Sequence, residues 1–385
     1  MTSPPHSSIG LPRDQIDTPA LLVDLDALEY NIDKLARHFR DTGKQLRPHS
    51  KSHKTPAIAH RQLAAGAIGI TCAKVGEAEV MADAGIDDIL IANEVVGSAK
   101  IRRLMQLATR CDIMVAVDAE DNLAALAAAA GEAGVRPRVL VEVDIGHQRC
   151  GASPGSSAVA LARLAASARH LRFSGLMGYQ GHVVDLEDRE QRESGTRECL
   201  QRLVQTREEV ERAGIEVAIV STSATGDYYI STSYDGVTEV QAGSYALMDA
   251  AYAKLDLGFR SALSVLTMVT SRPTPDRVIT DAGLKSVTPE HGMPEIKPPP
   301  PPEESNASPD AEAAFDACNL EVHALSEEHG RIRTREGTSN LRVGDLLEFI
   351  PGHGCTTVNL HEELFAMRGD RIEEVWNIAA RGKVR

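Results

Sequence analysis

The chain has 385 residues, 42% hydrophobic and 25% charged, enough for one large domain and a smaller one. Its net charge of -14 argues against nonspecific binding to nucleic acid or to anionic membranes, but not against an anionic cofactor held by local groups. No apolar run approaches the roughly 20 residues of a membrane helix. The polar first ten residues carry two prolines and no apolar signal core, so a cytoplasmic protein is expected, with a flexible tail over 1–15.

A first strand, Ala20 to Asp24, precedes a helix opened by Asp26, with Glu29 at the capping-box spacing. Further strands begin near Gln45, Ile68, Ile89, Ile113, Val139, Phe173, Val217 and Val237. Helical stretches separate them, such as Val75 to Ala84, Ala119 to Ala133, Ser157 to Ala168 and Glu187 to Ala213. Eight βα units in about 200 residues predict an α/β fold, a (β/α)8 TIM barrel. The competing doubly wound sheet is weakened because the early strands lack a GxGxxG fingerprint.

After about residue 255 the pattern changes. Val265 to Thr270, Arg277 to Thr280, Glu321 to Leu325, Arg331 to Thr334 and Leu346 to Ile350 read as strands without helices between them. The expected division is a tail (1–15), a first strand (16–30), a barrel (31–255) and a C-terminal mostly-β domain (256–385). A Pro-rich insertion at 297–312 reads as a stiff, polar surface loop.

Reactive groups of a barrel sit where strands end and βα loops begin. The first barrel strand runs into Arg-Pro-His-Ser-Lys-Ser-His-Lys (47–54). A lysine among cationic groups, Lys51, would have the lowered pKa that Schiff-base chemistry requires; the same stretch also fits a solvated basic loop. The fifth strand leads to Arg149 between glycines, suited to an oxyanion or to a salt bridge. The sixth leads to Tyr179, placed to lie on a planar ring or in the core. The seventh leads to Ser221 through Thr225 and Gly226, and the eighth to Gln241, Gly243 and Ser244. Hydroxyls and backbone N–H groups after strands seven and eight form the usual barrel phosphate site.

The six cysteines are scattered, with no CxxC pair, so no disulfide framework is expected. One of them, Cys355, forms a His-x-Cys pair with His353. In an extended segment the two would share one side, and both suit zinc or a similar metal. Two ligands do not complete a site, and from spacing alone a core cysteine beside an ordinary histidine is the better fit.

Taken together, the motifs at 47–54, Gly-Tyr-Gln-Gly (178–181), Gln-Ala-Gly-Ser-Tyr (241–245), Asp-Ala-Gly-Leu-Lys (281–285) and Pro-Gly-His-Gly-Cys (351–355) are specific. Across nearly its whole length the chain resembles the D-threonine aldolase / D-serine dehydratase family of alanine-racemase-like (fold-type III) pyridoxal-phosphate enzymes. The resemblance implies that Lys51 carries pyridoxal 5'-phosphate, with Lys54 accessory. It implies that Arg149 faces the phenolic oxygen, that Tyr179 lies against the ring and that Gln241 faces the ring nitrogen. Thr225, Gly226, Gly243 and Ser244 would hold the phosphate. His353 and Cys355 would hold a divalent metal, zinc, manganese or cobalt. The first strand would join the β domain, and the protein would be a homodimer with its site near the junction of barrel and β domain.

The implied reaction is retro-aldol cleavage of a small-molecule β-hydroxy D-amino acid, of the D-threonine, D-3-hydroxyaspartate or D-phenylserine type, to glycine and an aldehyde. Family aldolases carry a base six residues after the stacking tyrosine. Here that position is Asp185, and His182 is the histidine at hand. Dehydration of D-serine or 3-hydroxy-D-aspartate is the alternative, since Cys355 follows the dehydratase branch while Thr357 to His361 follows the aldolases. A non-catalytic pyridoxal-phosphate carrier and a racemase fit less well.

Overall fold

A computed structural model describes residues 7–298 and 317–385. Two compact units emerge. One takes the chain up to Tyr30, then Leu247–Lys254 and Gly258–Ile378; the other takes Asn31–Ala246, Leu255–Leu257 and Ala379–Arg385.

The strands are β1 (Ala20–Asp24), β2 (Gln45–Leu46), β3 (Ile70–Cys72), β4 (Asp88–Glu94), β5 (Asp112–Val117), β6 (Arg138–Glu142), β7 (Arg172–Met177), β8 (Ile219–Thr222) and β9 (Glu239–Val240). Strands β2 to β9 form one parallel sheet in the order β2-β9-β8-β7-β6-β5-β4-β3. A parallel bridge from His49 to Thr71 joins its two ends and closes the barrel. That closure removes the open-sheet alternative and leaves the expected TIM barrel.

Alternation along each strand builds two cores. Ile113, Val115 and Val117 of β5 pack outward with residues of the surrounding helices. Met114 and Ala116 point inward, with Leu90, Leu140 and Met177. At the N-terminal ends of the strands an ionic network fills the barrel. Buried Arg47 pairs with Asp88 at 2.7 Å and Glu239 at 2.9 Å, and Arg138 bridges Asp88 and Asp112. Arg47 thus belongs to the barrel floor and not to a cationic loop around Lys51.

The other unit adds β10 (Leu263–Thr274), β11 (Arg277–Thr280), β12 (Glu295–Ile296), β13 (Leu320–Leu325), β14 (Gly330–Thr334), β15 (Leu346–Ile350), β16 (Glu363–Arg368) and β17 (Arg371–Asn377). Its sheet runs β13-β14-β11-β10-β1-β16-β17, with β15 paired to β10 and to β12. The first strand does join this sheet, antiparallel to β10 and parallel to β16.

Several local expectations are corrected. The first helix is capped by Asp24, whose Oδ1 accepts the Ala27 N–H at 3.0 Å. Asp26 and Glu29 bind Arg368 instead of forming a capping box. From Gly10 on, the supposed loose tail is tied down: Gly10 N–H donates to the Ile372 carbonyl at 2.8 Å, and Arg13 N–H to that of Asp370 at 3.0 Å. The last residues pack with the barrel unit, where the sequence placed them in the β domain. The reason is backbone pairing of Ala380 N–H with the Lys54 carbonyl, at 3.0 Å, and of Gly76 N–H with that of Arg385, at 2.9 Å. The strands β16 and β17 were not anticipated. Of the Pro-rich insertion, residues 299–312 lie outside the described residues.

Candidate active site

Beyond β2 the chain turns through a short 3-10 helix, Ser50–Ser52, that carries Lys51. Two hydroxyls lock this turn: Ser50 Oγ donates to the Thr71 carbonyl at 3.0 Å, and Ser52 Oγ to that of His49 at 3.2 Å. Lys54 is buried in an ion pair with Glu77, which leaves Lys51 as the half-buried lysine of the segment.

Lys51 Nζ lies 5.6 Å from the centroid of the Tyr179 ring, and the Arg149 guanidinium carbon lies 5.2 Å from the same ring. A third neighbour was missed by the sequence reading. His147 meets Tyr179 edge-on at 5.5 Å and lies parallel to His182 at 5.8 Å. His182 Nε2 in turn stands 3.8 Å from Cys199 Sγ. Gly181 makes this clustering possible, because a Cβ there would lie 2.6 Å from the Tyr179 ring and 3.0 Å from His147.

The surroundings favour neutral imidazoles. Burial, then the charge of Lys51, holds His49 well below the usual histidine range. Burial and the charges of Arg149, His182 and Lys51 lower His147, against a smaller opposing pull from Asp144.

The loops after β7 and β8 are tied together by Asp227, also missed from sequence. Its buried carboxylate accepts from Gln180 Nε2 at 2.5 Å, Ser223 Oγ at 2.6 Å and Ala224 N–H at 2.9 Å. Thr225 Oγ1 accepts the Tyr245 N–H at 2.9 Å, just beyond Ser244. Gly226 and Gly243 allow close loop contact: a Cβ would lie 1.7 Å from the Val184 carbonyl oxygen in the first case and 2.4 Å from that of His49 in the second. Gln241 donates to Ser221 Oγ at 2.9 Å, and that hydroxyl donates to Glu239 at 2.6 Å.

This donor set fits an anionic aromatic aldehyde. It offers an amine, a guanidinium, a flat ring, a neutral carboxamide and hydroxyl-bearing loops at the ends of neighbouring strands.

In the β unit, His353 Nδ1 lies 3.0 Å from a Glu290 carboxylate oxygen, and the His291 ring lies 4.5 Å from the His353 ring. One ligand atom from each of Glu290, His291 and His353 lies within 4.8 Å of the others. Cys355 stands outside that triple but is near enough to raise the His353 pKa. Burial lowers the His353 pKa, but Cys355, Asp249 and Glu290 outweigh it and raise the group to about 9. Cys355 sits in a short helix, Gly354–Val358, so the expected extended geometry is not what joins the pair. The extra neighbours Glu290 and His291 follow Pro289, and an acid beside a histidine in a turn was the available signal. Imidazole, thiol and carboxylate together suit a borderline divalent metal.

Residues 23–251 match the alanine racemase N-terminal domain, and residues 262–367 match a serine dehydratase domain. A D-threonine aldolase from Arthrobacter sp is 39% identical, over 98% of this chain and 96% of its own.

The chain belongs to the D-threonine aldolase / D-serine dehydratase family.

Two further relatives agree. The 3-hydroxy-D-aspartate aldolase of Paracoccus denitrificans is 34% identical, over 97% of this chain and 94% of its own. The crystal structure of D-threonine aldolase from Filomicrobium marinum superposes with a TM-score of 0.89 at 36% identity, covering 98% of this chain and 99% of that one. The family is one of pyridoxal-phosphate-dependent, metal-assisted enzymes, and its alanine-racemase-like fold is the one described above. Among the described residues no helix is long and apolar enough to cross a membrane.

Proposed function

We propose that this chain is a lyase that cleaves β-hydroxy D-amino acids, of the D-threonine, D-3-hydroxyaspartate or D-phenylserine type, to glycine and an aldehyde. The observation that carries the reading is the convergence of Lys51 and Arg149 on the Tyr179 ring. Lys51 would hold pyridoxal 5'-phosphate, and Arg149 would face its phenolic oxygen. Gln241 would face the ring nitrogen, and Thr225, Gly226, Gly243 and Ser244 would take the phosphate. Once bound, that cofactor supplies a sink for the electron pair released when the Cα–Cβ bond breaks.

The chain's own groups supply proton handling and binding. His182 is the proposed acceptor of the substrate β-hydroxyl proton, and the parallel His147 ring, its pKa lowered, shares that electropositive neighbourhood. His353 and Cys355 would hold zinc, manganese or cobalt, whose Lewis acidity lowers the pKa of a hydroxyl. Glu290 and His291 stand ready to complete the ligand set. Homodimer assembly and a cytoplasmic location complete the reading.

A second reading, dehydration to a keto acid and ammonia, is favoured by the thiol at 355 and by the serine dehydratase match over 262–367. Product analysis separates the two. Purified holoenzyme is incubated with D-threonine, D-3-hydroxyaspartate, D-phenylserine and D-serine. Glycine with aldehyde supports the lyase, whereas ammonia with keto acid supports the dehydratase.

A further inference from the structure

We propose that Glu94 and Glu142 share a single proton beside Arg149, forming a carboxyl–carboxylate pair that positions the guanidinium. Its role toward the cofactor rests on the function proposed above; the shared proton does not.

The two acids end β4 and β6, the strands on either side of β5. Leu90 and Ala92 of β4 and Leu140 of β6 belong to the inner barrel cluster. Period-two alternation therefore aims Glu94 and Glu142 into the barrel as well. Glu142 is 3% exposed. One oxygen from each acid lies within 4.8 Å of the other and of Cys150 Sγ.

Two buried oxygens, Glu94 Oε1 and Glu142 Oε2, have no hydrogen-bond donor among the described residues. The two carboxyls nevertheless stand close together, with an oxygen of each within 4.8 Å of the other. An unsatisfied buried acceptor costs about 1–3 kcal/mol, more when charged. Two buried like charges in contact do not both ionise. One proton resolves both problems, since it turns one acceptor into a donor for the other.

A metal ion is the competing occupant, and two neighbours oppose it. The Arg149 guanidinium already lies 3.7 Å from Glu142. The Cys150 thiol donates to Glu142 Oε1 at 3.1 Å. Burial, with Glu142 adding to it, pushes that thiol up to about 12, so it stays S–H and its proton occupies Glu142 Oε1. Asp118 after β5 is held on the neighbouring loop, where its Oδ2 accepts the Gly151 N–H at 3.1 Å.

Burial first, then the charge of Glu94, raises the Glu142 carboxyl to about 7. In the proposed pair the shared proton is lost across that region. Below that region it carries one negative charge against Arg149. Above it a second charge appears and draws the guanidinium toward Glu142, away from Tyr179. Glu94 and Glu142 are thus positioning residues acting through Arg149.

The test is infrared difference spectroscopy on holoenzyme between about pH 8 and about pH 6, a window around the Glu142 value. Wild type should gain a protonated-carboxyl stretch on acidification. Glu94→Gln and Glu142→Gln should each remove it, with circular dichroism reporting their fold. If Glu142→Gln does not fold, Glu94→Gln decides alone. The visible cofactor band of wild type should titrate in the same window, and Glu94→Gln should move its midpoint by more than about one pH unit. A carboxyl stretch that persists in the folded variants overturns the shared proton. A cofactor band that titrates identically in Glu94→Gln overturns the positioning role. Wild type that binds no cofactor yet shows the stretch, and its loss in the variants, would refute the proposed function and leave the shared proton standing.

Discussion

Lys51 and Arg149 bring their charges to the same ring, at 5.6 Å and 5.2 Å from the Tyr179 centroid. They come from loops after different strands, one following β2 and the other β6. An amine and a guanidinium beside one aromatic ring are what the proposed site offers a planar, anionic aldehyde.

His182 is the proposed proton acceptor, so His182→Ala should lower kcat by about 100-fold or more while leaving the cofactor spectrum unchanged. Steady-state assay with D-phenylserine, alongside an absorbance scan, measures both. Unaltered kcat would move the role elsewhere, with the stacked His147 ring the next candidate.

Cys355→Ala should spare the visible absorbance but lower turnover by about tenfold or more, as loss of a metal ligand does. Chelation of wild type should have the same signature, colour kept and turnover lost. If Cys355→Ala turns over normally, the metal assignment fails.

Acid should weaken the barrel through His53. Burial lowers this histidine from 6.5 to about 4 in the folded protein, outweighing hydrogen bonds that favour its charged form. The unfolded chain therefore binds the extra proton first. The stabilisation from a neutral His53 is complete above about pH 6.5 and is lost as pH falls toward about 4. The full swing is about 3 kcal/mol. Denaturant midpoints across this range should fall for wild type and fall less for His53→Asn. Equal slopes would contradict the assignment.

Gly226→Ala should lose both stability and cofactor affinity, because its Cβ would lie 1.7 Å from the Val184 carbonyl oxygen. Backbone cannot yield cheaply, so a cost of about 3 kcal/mol or more is expected. Thermal melting and a pyridoxal-phosphate titration measure it, and a wild-type melt would show that the loop can relax.

Much of the barrel was legible because long, fully buried strands such as Ile113 to Val117 sit between helices with clear periodicity. The hairpin of β16 and β17 was not, because glutamates and arginines break its apolar alternation. The sequence put Lys51, Arg149 and Tyr179 at strand ends, and the structure brings them together. It could not reveal His147, Asp227 or Glu142, whose roles come from contacts between loops and strands far apart in the chain. The arginine at 47 shows the reverse. Its neighbours in sequence suggested a cationic loop, yet two acids at the barrel floor bury it.

Borohydride reduction of the holoenzyme followed by peptide mass mapping tests the central claim most directly. The reduced cofactor should appear on Lys51, and Lys51→Ala should show neither the label nor the visible band. Label on Lys54 or another lysine, or no label at all, would contradict it.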